Sequence, residues 1–115
     1  MTTDTIYVVD RVLVRSGHAR EFIDAYLDQY VPRATARGLV LDRLLMPPPV
    51  WDDDEEHVVT ATWTVEGPKE WWAAAVAARH DPTASDWWRA MEPMVIERTR
   101  TTEAEPAAVE RMSRV

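Results

Sequence analysis

Residues Ile6 to Arg15 alternate with period two, and this segment constrains the fold more than any other part of the chain. Ile6, Val8, Val12 and Val14 form one row, and Tyr7, Val9, Arg11, Leu13 and Arg15 form the other. Such alternation is the pattern of a β-strand. One carboxylate, Asp10, stands in the aliphatic row. A second alternating segment, His57 to Glu66, sets Val59, Ala61, Trp63 and Val65 against Thr60, Thr62 and Thr64.

Helical spacing fills the stretch after the first strand. Ser16 is a candidate N-cap for a helix reaching about Arg37, with Phe22, Ile23, Tyr26, Leu27, Tyr30 and Val31 on its apolar side and Gly38 as its stop. Pro32 lies inside it and should kink it or end it early. Leu39 to Met46 reads as a second strand, closed by Pro47-Pro48-Pro49 because proline cannot donate to a ladder. The acidic run Asp52 to Glu56 reads as a solvated hairpin loop before the third strand, with His57 at its end and a divalent cation as the alternative. Gly67-Pro68 opens the next helix, Asp81-Pro82 breaks it after His80, and a short third helix ends at Pro93. Met94 to Thr102 is the fourth strand. One domain therefore spans residues 1–102, and residues 103–115 read as a polar C-terminal tail or arm.

The order strand, helix, strand, strand, helix, strand predicts an α+β fold, a four-stranded antiparallel sheet with helices on one face. Its other face would carry Tyr7, Val9 and Leu13 beside the threonine row, too apolar a surface to stand in water, so a second copy of the chain is expected to cover it.

Composition excludes several classes of function. With no cysteine there is no disulfide framework, thiolate nucleophile or Cys-based zinc site. A net charge of -7 argues against nucleic acid or an anionic membrane as partner. No apolar run approaches the roughly 20 residues of a membrane span, and no secretory signal is visible, so the expected location is cytoplasmic.

The candidate site lies where Trp71-Trp72 and Trp87-Trp88 flank His80 in an alanine-rich helical stretch; these are four of six tryptophans. Neighbouring helix positions point about 100° apart, so one tryptophan of each pair can face the sheet while the other faces a groove, a partner or water. Ala74, Ala75 and Ala78 lie beside Trp71 at helical spacing and leave room for either a core side chain or a planar ligand. Trp72 and Val76 read as core or rim. Asp10, desolvated in its apolar row, suits a general base or a hydrogen-bond donor; the alternatives are a pair with an arginine or a place at the open end of the sheet. His80 is either a helix C-cap or a pocket acid, base or ligand. Tyr26 and Tyr30, one turn apart, can reach the same cavity, Trp63 can form its floor, and Trp87 can contact the substrate. Arg11, Arg43, Arg98 and Arg100, set against Asp42 and Glu97, suggest ion pairs across the sheet or a dimer contact.

From Ile6 to Thr102 the order of elements resembles the dimeric α/β-barrel superfamily, whose subunits have ferredoxin-like βαββαβ sheets. The stretch Trp71-Trp72-Ala73-Ala74-Ala75-Val76-Ala77-Ala78-Arg79-His80 resembles the second helix of the antibiotic-biosynthesis-monooxygenase branch. That branch holds enzymes that oxidise aromatic polyketides without metal or flavin, and haem-degrading monooxygenases with a Trp followed by an iron-ligating His. NIPSNAP-related and stress-response members share the topology. The resemblance implies a homodimer with a hydrophobic pocket between sheet and helices. Trp71 and His80 match the haem degraders' pair in type and approximate spacing, while Asp10 stands where those enzymes have an Asn. Together these readings lead to a cofactor-independent oxygenase or cyclase acting on a hydrophobic or aromatic small molecule. Asp10 would be the base, His80 or a tyrosine the oxyanion donor, and Trp71 the stacking wall. The alternatives are haem binding or degradation with His80 as axial ligand, and a non-catalytic ligand-binding or stress-response barrel.

Overall fold

A computed structural model describes residues 2–114. Four strands, β1 (Ile6–Val14), β2 (Val40–Leu45), β3 (His57–Val65) and β4 (Val95–Ala104), form one antiparallel sheet in the order β2-β3-β1-β4. Both strongly alternating segments lie at its centre, β1 between β3 and β4. Their aliphatic rows face the helices: Ile6, Val12, Val14, Val59 and Trp63 are all almost completely buried there. Burying a large apolar side chain contributes roughly 1.5–3 kcal/mol relative to exposure, so these two strands supply much of the core's free energy.

The first helical stretch is continuous but changes pitch. α1 (Ala19–Ala25) passes into a π-helical turn, Tyr26–Tyr30, and then into α2 (Val31–Ala36). The Val31 N–H bonds to the Tyr26 carbonyl, five residues back. Pro32 follows directly; it has no N–H to give, and its ring would crowd the carbonyl four residues before it. The wider turn absorbs both defects, so the helix continues through the proline instead of ending there. Ser16 does not cap this helix. Gly17 takes a positive φ of 80° in the turn after β1, and His18 holds the N-cap position with no side-chain cap.

α3 (Pro68–Arg79) and α4 (Pro82–Met91) pack on the same face of the sheet as α1 and α2. The Asp81 carboxylate caps α4, accepting from the Thr83 N–H at 2.9 Å. Trp71 packs half-buried against the core while Trp72 is exposed, as expected of adjacent helix positions. Trp87 and Trp88 depart from that rule, because both are buried. Trp87 points into the rings of Tyr26 and Tyr30, and Trp88 lies under the Arg98 guanidinium at 4.1 Å, so α4 is covered on two sides.

The segment expected as a polar tail is ordered structure. β4 runs on to Ala104, and α5 (Pro106–Met112) folds back with Ala108 fully buried and Arg111 paired to Asp4. Its apolar stripe is one turn long among charged residues, too short to register as periodicity.

The sheet's other face carries Tyr7, Val9, Leu13 and Thr60, Thr62 and Thr64, and no helix among the described residues packs over it. Val40 and Leu45 at its edge are 60% and 56% exposed. None of the helices described is long and apolar enough to cross a membrane.

Candidate functional site

Asp10 has its polar partner directly across the sheet. In the β1–β4 register Asp10 stands opposite Arg100, which points to the same helix-covered side. The Arg100 fork donates through Nε to Asp10 Oδ1 at 2.6 Å and through Nη2 to Oδ2 at 2.9 Å. The planar, two-point geometry is the strong form of an arginine–carboxylate pair. Tyr26 Oη adds a third donor to Oδ2 at 2.8 Å, and Trp63 Nε1 donates in turn to Tyr26 Oη at 2.8 Å. Arg100 Nη2 also donates to Tyr30 Oη at 2.7 Å. Five side chains from β1, β3, β4 and the π turn thus form one connected network.

The π turn is what makes the network possible. It stacks the Tyr26 and Tyr30 rings with centroids 5.1 Å apart and aims both hydroxyls at the Asp10–Arg100 pair. Burial, reinforced by the Asp10 carboxylate, pushes the Tyr26 phenol far above the usual tyrosine range, so it stays protonated and donates. For Arg100, desolvation lowers the pKa, and the hydrogen bonds and charge of Asp10 outweigh it, so the net shift is upward and the guanidinium stays charged.

Asp10, Tyr26, Tyr30 and Trp63 are almost fully buried, whereas the Arg100 side chain is 35% exposed. The network therefore reaches solvent at Arg100, whose Nη1 makes no hydrogen bond to the described residues. It opens into a chamber of about 110 Å³ between the sheet and α3. Val8, Leu39 and Thr102 form the chamber's floor; Trp71, Ala74, Ala75 and Ala78 form its wall; Arg37 and Arg100 are its charged groups. The alanines leave the space, and Trp71 supplies a flat apolar side.

The residues expected at the site divide into three sets. Asp10, Tyr26, Tyr30 and Trp63 lie together in the buried network, and Trp71 lines the chamber above it. Trp87 belongs to the aromatic core, its Nε1 bonded to Gln29 Oε1 at 2.8 Å. His80 stands exposed at the C-terminal end of α3, its backbone N–H on the Val76 and Ala77 carbonyls, and does not line the chamber. A haem does not fit this arrangement. The histidine that would ligate iron lies outside the chamber, and a space of about 110 Å³ takes about one ring and not a macrocycle.

Arg11 pairs with Glu103 at 3.9 Å and Arg43 with Asp42 at 2.9 Å, both at the surface. The acidic loop is exposed, and His57 is buried with its Nε2 against the Asp52 backbone. A wider apolar groove of about 880 Å³ borders Pro47, Pro48, Pro49 and Trp51, but its polar side chains, Arg11 and Thr60, belong to the open face and connect to no buried network.

Arg37 is the site residue that sequence reasoning missed. No periodicity marks an arginine at a helix end, and only the chain's return across the sheet brings it to the chamber. Arg100 was legible as half of a pair, since a lone carboxylate in an apolar row needs a cation, but its register was not.

A four-stranded antiparallel sheet of this order with helices on one face is the ferredoxin-like fold shared by NIPSNAP proteins and antibiotic biosynthesis monooxygenases. An uncharacterized NIPSNAP domain protein from Burkholderia xenovorans is 14% identical at a TM-score of 0.68, over 89% of this chain and 95% of that one. A NIPSNAP family protein from Agrobacterium tumefaciens is 7% identical at a TM-score of 0.67, over 91% of each chain. SnoaB, a cofactor-independent oxygenase from Streptomyces nogalater, is 18% identical at a TM-score of 0.52, over 89% of this chain and 93% of that one. At these identities the likeness is one of fold. No protein-family profile matches the chain, and no curated protein matches it in sequence.

Proposed function

We propose that this protein is a small-molecule enzyme, a cofactor-independent oxygenase or a related proton-transfer enzyme, acting on a planar hydrophobic substrate held against Trp71. The observation that carries the reading is Arg100: a fixed cation that lines an apolar chamber, is anchored by a buried carboxylate, and has one nitrogen without a hydrogen bond to the described residues. Oxygenation or cyclisation of a conjugated substrate begins with loss of a proton, which leaves negative charge on a substrate oxygen. A preorganised guanidinium in a low-dielectric site stabilises that charge without reorganising. Asp10 holds the guanidinium in place, so that its charge meets the substrate oxygen at a fixed position, and the substrate's proton leaves to solvent water at the chamber's open mouth. The chamber admits about one ring, so a fused ring system projects through its open mouth.

The likeness to SnoaB, a cofactor-independent oxygenase, supports cofactor-independent chemistry on this fold. The open sheet face supports a homodimer, with one chamber in each subunit.

The test is oxygen uptake with anthrone as the substrate, using chelator-treated protein without added flavin. Wild type should consume oxygen above the uncatalysed rate. Asp10→Asn should lose turnover by about two orders of magnitude, since it keeps the shape and removes the charge that fixes Arg100 against the substrate oxygen. Saturable anthrone binding without uptake would make the protein a binding module and refute the enzyme reading.

A further inference from the structure

We infer that the chamber under α3 is a carboxylate site, receiving the acidic end of a planar ligand between the guanidinium groups of Arg37 and Arg100. The inference deepens the proposed function and rests on its reading of the chamber as the substrate site.

Arg37 leaves the end of α2 and turns inward until its side chain is only 7% exposed. A guanidinium keeps its charge wherever it lies, so every buried N–H on it needs an acceptor. Arg37 lacks them. Its Nε is buried with no hydrogen-bond partner, and its one ion pair among the described residues is to Asp81 Oδ2 at 3.4 Å. That distance exceeds the roughly 2.7–2.9 Å of a charge-assisted bond. Asp81 is committed elsewhere, its Oδ1 taking both the backbone N–H and the hydroxyl of Thr83 at the start of α4.

Arg100 faces the same chamber with the opposite history. Its Nε and Nη2 are fully used by Asp10 and Tyr30, and Nη1 is left open. Two arginines, one short of acceptors and one with a nitrogen that makes no hydrogen bond to the described residues, therefore line a single small cavity together with Trp71, Ala75 and Ala78. Guanidinium forks match the flat, two-oxygen geometry of a carboxylate, and the apolar side of the cavity suits the ring that bears it. A space of about 110 Å³ holds that much and little more.

The probe is benzoate, titrated into the full-length protein by calorimetry, with benzamide as its uncharged isostere. Benzoate should bind at least about tenfold more tightly than benzamide. Arg37→Gln should reduce benzoate to the level of benzamide while circular dichroism reports an intact fold. Ala75→Leu, which fills the chamber and leaves both arginines, should abolish binding of both probes and keeps the test valid if the first variant is unstable. Equal affinity for the two probes in wild type, with binding still lost in Ala75→Leu, would overturn the carboxylate inference and leave the substrate chamber standing. Benzoate affinity unchanged by Arg37→Gln would overturn it as well. Binding of neither probe, or binding indifferent to Ala75→Leu, would overturn both.

Discussion

Tyr26 shows how much one side chain can carry. Its hydroxyl donates to Asp10 and accepts from Trp63, so the buried indole N–H and the buried carboxylate both depend on it. Tyr26→Phe keeps the ring and removes the hydroxyl. It leaves the Trp63 N–H without an acceptor where no water reaches, and should cost about 1–3 kcal/mol in urea unfolding. A change within about 0.5 kcal/mol would mean that the network is structurally idle. At this scale the sequence was partly readable. Asp10 announces itself as the one charge in an aliphatic row, and the Tyr26/Tyr30 spacing predicts a shared cavity. What alternation and spacing cannot supply is register across ninety residues, and register is what sets Arg100 opposite Asp10. His80, by contrast, drew attention through its tryptophan neighbours, yet its backbone position at the end of α3 turns it outward.

Among the elements, the break between α3 and α4 is secured by Asp81, which caps α4 and touches Arg37 beside the chamber. Hydrogen bonds from the Thr83 hydroxyl and backbone hold the Asp81 carboxyl below its ordinary 3.8, with Arg37 and Arg33 adding to the effect. A carboxylate whose folded pKa is depressed contributes stability above its unfolded value and loses it as pH falls toward the folded one. Asp81→Ala should therefore lower Tm at pH 7, and the gap from wild type should close as the pH is taken below about 4 in thermal melts. A gap independent of pH would show that the side chain acts by packing instead of charge. Asp81-Pro82 marks this boundary in the sequence because both residues suit the first positions of a helix. The π turn before Pro32 is harder to foresee, since proline predicts a disturbance without saying whether the helix will end, kink or widen. α5 was hidden for a different reason: one turn of apolar residues is below the length at which periodicity can be distinguished from chance.

For the molecule as a whole, the sheet face that no described helix covers is what the proposed homodimer would bury. Val9 is buried there, and Thr60, Thr62 and Thr64 of β3 are half-buried beside it. The account predicts a species of about twice the 13.2 kDa chain mass by sedimentation at micromolar concentration. Thr62→Lys should shift it to monomer, because a lysine at the middle of a self-complementary face meets its own copy or loses its water. A folded wild-type monomer at that concentration would remove the second sheet from the account. The architecture itself was the most legible part of the sequence, since two alternating segments and one proline-punctuated helical stretch leave few ways to cover an apolar sheet. The central claim concerns the chamber and not the assembly, and adjacent residues of α3 test it. Trp71 lines the chamber and Trp72 points away, so the same substitution one position apart separates site from surface. In the oxygen-uptake assay with anthrone, Trp71→Ala should reduce kcat/KM by about tenfold or more while Trp72→Ala stays near wild type. Equal loss in both variants, or none in either, would contradict the assignment of the active site to the space beneath α3.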